Sequence, residues 1–157
     1  MLKTVVAAIA VASSAGVLAQ SSEAPRLRVS ALPDHITIDG RLDEPQWESA
    51  ERVDTFFQAD PVEGAPATAR TTVRVLASAK AIVVGIICDD PEPAGIVSFS
   101  VRRDALLTSE DHVRVVLGPF LDGRSGYVFA VNPSGARYDG LINPGGETDN
   151  PDWDGIW

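Results

Sequence analysis

Residues 150–157, Asn-Pro-Asp-Trp-Asp-Gly-Ile-Trp, bring side-chain oxygens and indole rings together in a short stretch. Asn150, Asp152, Asp154 and Gly155 have the order that opens a calcium loop, in which alternate oxygen donors converge on one ion and a glycine makes the sharp turn. The bidentate carboxylate of such a loop would fall beyond Trp157, and the alternative is an Asx-rich turn leading into a strand. If the stretch is extended, Trp153 and Trp157 share one face about 13 Å apart. That spacing suits saccharide rings, whose polarised C–H patches stack on indoles while Asn150 and Asp152 take the hydroxyls. The competing reading places both indoles in the core. A second acidic group, Asp89, Asp90 and Glu92, is either a solvated turn or a further calcium candidate. The stretch 102–111, with Arg102, Arg103, Asp104, Glu110 and Asp111, reads as an exposed ion-pair loop.

Catalytic signatures are missing. There is no Gly-x-Ser-x-Gly elbow, no His-Glu-x-x-His and no phosphate-cradling glycine loop, and His35 and His112 stand far apart. A glycosidase needs two placed carboxyl groups, and abundant acids alone do not supply placement. The expectation is therefore a protein that is not an enzyme. Lys and Arg number 13 against 22 Asp and Glu, a net charge of −9 that disfavours nucleic acid and other polyanions and accommodates a neutral polysaccharide or a bound cation. The lone Cys88, in an apolar run, is expected to be buried and inert.

The elements that must position these residues follow an apparent leader. A basic head and an apolar, Ser-interrupted run with small residues at Val17 and Ala19 predict a signal peptide over 1–19, hence export to the periplasm, outer membrane or exterior. Residues 20–32 then form a tether and first short strand. Beyond it, apolar runs alternate with turn residues, which predicts strands at 27–31, 36–38, 71–77, 82–88, 96–101, 112–117, 127–132 and 137–142. Hairpin-like connections predict an all-β fold, an antiparallel, jelly-roll-like β-sandwich, with a closed barrel as the alternative. One helical turn is expected in "RLDEPQWESAER", with Asp43 as cap, Gln46 reaching back to it, Pro45 in the first turn, and Leu42 stapled to a core Trp47.

Taken in order, "ITIDGRLDEPQWESA", "VRVL", "VVGIICDDPEP", "RRD" and "DHVRVVLGPFLDGRSGYVFAVNPSGARYDG" resemble the family 9 carbohydrate-binding module, and especially the family-9-like domain that opens larger exported bacterial proteins. The likeness spans roughly 33–157. Asp39, Gly40, Asp43 and Trp47 fit its first block, and Asp111, Gly126, Tyr127, Asn132, Pro133, Gly135 and Asp139 the later ones, chiefly as scaffold positions. Val83 stands where an aromatic is usual, and Gly118 where an Asp commonly precedes Pro-Phe.

The resemblance implies a β-sandwich, sugar binding through paired tryptophans, structural calcium in some members and a link to carbohydrate catabolism. It also implies a fold that continues past Trp157, so the chain is expected to be the N-terminal portion of a longer protein. Membrane association would then come only from the leader or that further region. The alternative function is a structural or interaction module that docks on the downstream region.

Overall fold

The computed structural model describes residues 26–33, 36–145 and 149–157; the leader expected over 1–19 and His35 lie outside them. The described residues fall into two compact units, one ending at Asp89 and the other beginning at Asp90, each built on its own sheet. Among the described residues strands dominate both units and helix is limited to two short turns, so the chain has the all-β, two-sheet class expected of it. No helix among the described residues is long and apolar enough to cross a membrane.

In the first unit β1 (Ser30–Ala31), β2 (Arg52–Val53), β3 (Thr71–Ala77) and β4 (Ile82–Cys88) make one sheet around β3. β3 and β4 form a hairpin along their full length, from Thr71 opposite Cys88 to Ala77 opposite Ile82. Their β-branched content suits a pleated ladder. The turn between them closes through Ser78, whose hydroxyl oxygen accepts from the amides of Lys80 and Ala81. β2 pairs antiparallel with the middle of β3, whereas β1 pairs parallel with its end, a departure from the all-antiparallel expectation.

Helix α1 (Pro45–Ser49) lays Trp47 on this sheet, where it is buried with Ala50 and Leu76 and packed by Leu42 and Val83. The core role expected for Trp47 and the contribution of Leu42 are both present. The cap differs. Glu44, not Asp43, is the N-cap residue, and no side chain caps the helix. Glu44 instead accepts from the Trp47 indole N–H at 3.1 Å and from the Thr37 amide at 3.0 Å, which fixes the indole and the preceding loop together. Gln46 does not reach back; its carbonyl accepts from the Ala50 amide.

The deeply buried face of β3 is that of Thr72 and Leu76, under the helix, while Val73 and Val75 are only half-buried. Cys88, expected in the interior, is exposed because it sits in the last ladder pair of the hairpin beside Thr71. Gly85 is the close-approach point of this unit. A Cβ there would lie 2.5 Å from Leu42 Cδ2 and 2.9 Å from the Trp47 ring. Gly85→Ala is therefore expected to lower the stability of this unit by about 1–3 kcal/mol, read as an earlier urea midpoint. An unchanged midpoint would contradict the packing described.

The second unit holds a 3-10 turn (Pro93–Gly95) and an antiparallel sheet of β5 (Val113–Leu117), β6 (Gly126–Val131) and β7 (Arg137–Ile142), with β6 in the middle. Its core is Leu107, Val128, Ala130, Ala136 and Tyr138. The β6–β7 turn uses "NPSGA": Gly135 adopts φ +82°, and the buried Asn132 accepts from the Ala136 amide through Oδ1. Residues 36–38 and 96–101, expected as strands, are not.

For 96–101 the reason is visible in the hydrogen bonding. Val97 donates to the Asp111 carboxylate, and Phe99 and Ser100 both donate to Glu110 Oε2, so carboxylates replace a strand partner. Asp111 thus serves the scaffold, and Glu110 is buried, not part of an exposed ion-pair loop. Burial pushes the Glu110 carboxyl up, but hydrogen bonds from Ser100, Phe99 and Asn132 outweigh it, and its pKa falls from the ordinary 4.5 to about 2. A folded-state value below the unfolded one stabilises the fold above the unfolded pKa and is lost as pH falls towards the folded pKa. The second unit should therefore lose stability as the pH drops from about 4.5 to about 2. An acid titration followed by circular dichroism tests this; Glu110→Gln should flatten that step, and an unaltered titration would refute it.

Candidate functional site

Alternation along β6 sends Val128 and Ala130 into the core and Tyr127 and Phe129 to the other face. Register places Phe129 between Val115 and Asp139, and Tyr127 between Leu117 and Leu141. The closing segment returns over this face. It is anchored at Asn150, whose backbone exchanges two hydrogen bonds with Leu141 on the edge of β7. Asn150 Oδ1 then accepts from the Asp152 amide, making the Asx turn considered from the sequence.

Residues 152–157 do not form a strand. The Trp153 ring folds back toward Gly155, where a Cβ would come within 2.7 Å of it. Both indoles nevertheless meet the same sheet face. Trp153 lies 4.8 Å from the Tyr127 ring and 6.0 Å from Phe129, and Trp157 lies 5.2 Å from Phe129. Phe129 meets each indole nearly edge-on, at 79° and 72°, the arrangement in which ring edge and ring face attract. Phe120 continues the row beyond Tyr127 at 6.3 Å, and the Arg137 guanidinium stands 5.6 Å over Trp157 at the other end. Trp157 is 40% exposed, Trp153 is half-buried and Phe120 is open to solvent. At the Phe120 end the row borders a shallow groove of about 420 Å³ lined by Asp122, Ser125, Leu141 and Asn143.

An ion-pair cluster holds the segment in place. Asp139, with its side chain fully buried, accepts from Arg103 at 2.6 Å, from the Gly155 amide at 2.6 Å and from the Trp157 indole N–H at 3.0 Å. Arg103 also pairs with Asp154 and donates to the Gly155 carbonyl at 2.9 Å. Desolvation weighs against the Arg103 charge, but the hydrogen bond to Asp154 and the field of Asp139 outweigh it and raise its pKa further. Arg137 donates to the Trp157 carbonyl oxygen. Arg103 therefore positions the indole segment, a role that the sequence does not announce because its partners lie 36 and 51 residues away.

The four expected sugar contacts are brought to one segment: Trp153 and Trp157 in the aromatic row, Asn150 in the turn that enters it, and Asp152 exposed beside Trp153. Tyr127, Phe129 and Phe120 join that row; the period-two aromatics of "GYVFAV" were the sequence signal for the first two. The calcium candidates fare differently. Asp154 is engaged by Arg103, Asn150 by the Asp152 amide, and Asp90 by the Glu92 amide. Asp89, Asp90 and Glu92 are exposed, and among the described residues no three carboxylate, imidazole or thiol groups gather as metal ligands. No family model, curated protein or solved structure matches the chain.

Proposed function

We propose that the chain is a non-catalytic saccharide-binding module of an exported protein, which receives a polysaccharide or oligosaccharide on the aromatic row. The observation that carries this is the convergence of Trp153 and Trp157 on Phe129, with Trp157 exposed and a polar margin of Asp152, Asn150 and Arg137. Stacking on indole contributes affinity without charge, and the exposed Asp152 carboxylate, which no group among the described residues engages, is available for hydroxyls. The resemblance to the family 9 module points the same way. The acidic balance of the chain suits a neutral glycan.

Tryptophan fluorescence during titration with soluble plant and microbial polysaccharides tests the reading. At least one glycan should shift or quench the emission saturably, and silence across the panel would overturn it. A docking role on another protein region has one observation in its favour, the exposed Phe99, Val101 and Leu106 of the second unit. Silence toward glycans together with burial of these residues against a downstream region would favour docking.

A further inference from the structure

We propose that a cleft on the opposite face of the β5–β7 sheet is a second binding site, shaped for a single sugar ring. Arg114, Ala130 and Tyr138 lie side by side across the three strands and form its floor, turned away from the face that carries Tyr127 and Phe129. Leu106, Leu107 and Thr108 wall one side and Asp149 and Pro151 another, enclosing about 330 Å³. That volume sits at the low end of the roughly 300–1,000 Å³ typical of small-ligand clefts, which fits one ring and not a chain of them.

The polar groups determine the ligand class. Arg114 Nη2 donates to both oxygens of Asp149 at 2.7 Å, and the Tyr138 hydroxyl donates to Asp149 Oδ2 at 3.4 Å. The paired charges cancel, so the cleft does not select an ion. Arg114 has five N–H donors and spends only one nitrogen on Asp149, so the other nitrogens keep donor capacity at the cleft that Arg114 lines. His112 Nδ1 lies 2.8 Å from the Glu110 carbonyl oxygen, which only accepts. Nδ1 therefore carries the proton in the neutral ring, and Nε2 is left as an acceptor. Burial first, then the Asp149 carboxylate, raises the Tyr138 pKa, which keeps its hydroxyl a donor well beyond neutrality.

Donors at Arg114, an acceptor at His112, a hydroxyl at Thr108 and apolar walls at Leu106 and Pro151 match a neutral ring with hydroxyls at its rim and a C–H face. The ligand class rests on the saccharide reading above; the cleft itself is independent of the aromatic row.

Nuclear magnetic resonance of the full chain, titrated with the methyl glycosides of glucose, galactose, mannose and xylose, tests the proposal. At least one should move the amides of Thr108, His112 and Arg114 saturably, whether or not the indole N–H signals of Trp153 and Trp157 also move. Arg114→Gln should weaken that binding tenfold or more. Thr108→Val, at an exposed position that leaves the Arg114–Asp149 pair intact, should weaken it several-fold. No shift with any of the four, shifts confined to the indoles, or full affinity in both variants would overturn the second site. Because the two sets of signals report separately, failure of the aromatic row leaves shifts at Thr108 and His112 readable, and the reverse holds.

Discussion

Asp139→Ala is expected to lower the stability of the second unit by about 2–4 kcal/mol and to release the closing segment, with the Trp157 emission moving toward that of a solvated indole. The expectation follows from what the carboxylate holds. It is fully buried and accepts from three donors, and its removal leaves the Gly155 amide, the Trp157 indole N–H and the Arg103 guanidinium without that acceptor. A buried donor left unsatisfied costs about 1–3 kcal/mol, less where water reaches it as at the partly exposed Arg103 and Trp157, and breaking a buried pair by deleting one partner is worse than removing both. Asp139→Asn keeps one acceptor oxygen at the same place and should lose less. Urea denaturation of the three proteins gives the comparison. If Asp139→Ala unfolds at the wild-type urea midpoint with unaltered emission, the ion-pair cluster does not hold the segment.

Trp153→Ala should weaken glycan binding about thirtyfold, corresponding to about 2 kcal/mol, the scale of an aromatic hot spot. Trp153 bridges Tyr127 and Phe129, so its removal deletes its own face and loosens the row on either side. Trp157→Ala should cost less, since among the described residues that ring has one aromatic neighbour, Phe129, and stands at the end of the row under Arg137. Trp153→Phe separates stacking from shape, because a smaller ring retains a face and should recover part of the affinity. Equal affinity in wild type, Trp153→Ala and Trp157→Ala would remove the indoles from recognition.

The legible parts of the fold were those decided locally. "TTVRVLA" and "IVVGIIC" form strands over the residues that their β-branched runs delimit, and Trp47 is buried where its helical turn required. The strand readings at 36–38 and 96–101 rested on the same apolar signal and failed for want of a neighbour. In the second case the neighbour's hydrogen bonds came from Glu110 and Asp111, which no periodicity reveals. The two-residue β1 and β2 exist because β3 offers them an edge. Asp43 looked the better cap by residue type, yet Glu44 is long enough to reach both Thr37 and the Trp47 indole, and that reach set where the helix begins.

At the site, proximity along the chain made Asn150, Asp152, Trp153 and Trp157 visible together. Arg103 and Asp139 were not visible as their support, because they stand 36 residues apart and only the path of β7 beside the closing segment brings them together. The same separation explains Asp154. In sequence it is an oxygen donor at an alternate position of a cation loop; in the fold it faces an arginine.

Isothermal titration calorimetry of wild type and Trp153→Ala against a panel of soluble polysaccharides tests the central claim most directly. The account predicts saturable binding of at least one neutral glycan to the wild type, weakened about thirtyfold in the variant while both proteins keep the same circular dichroism spectrum. Heat-silent titrations across the panel, or one affinity shared by both proteins, would contradict it.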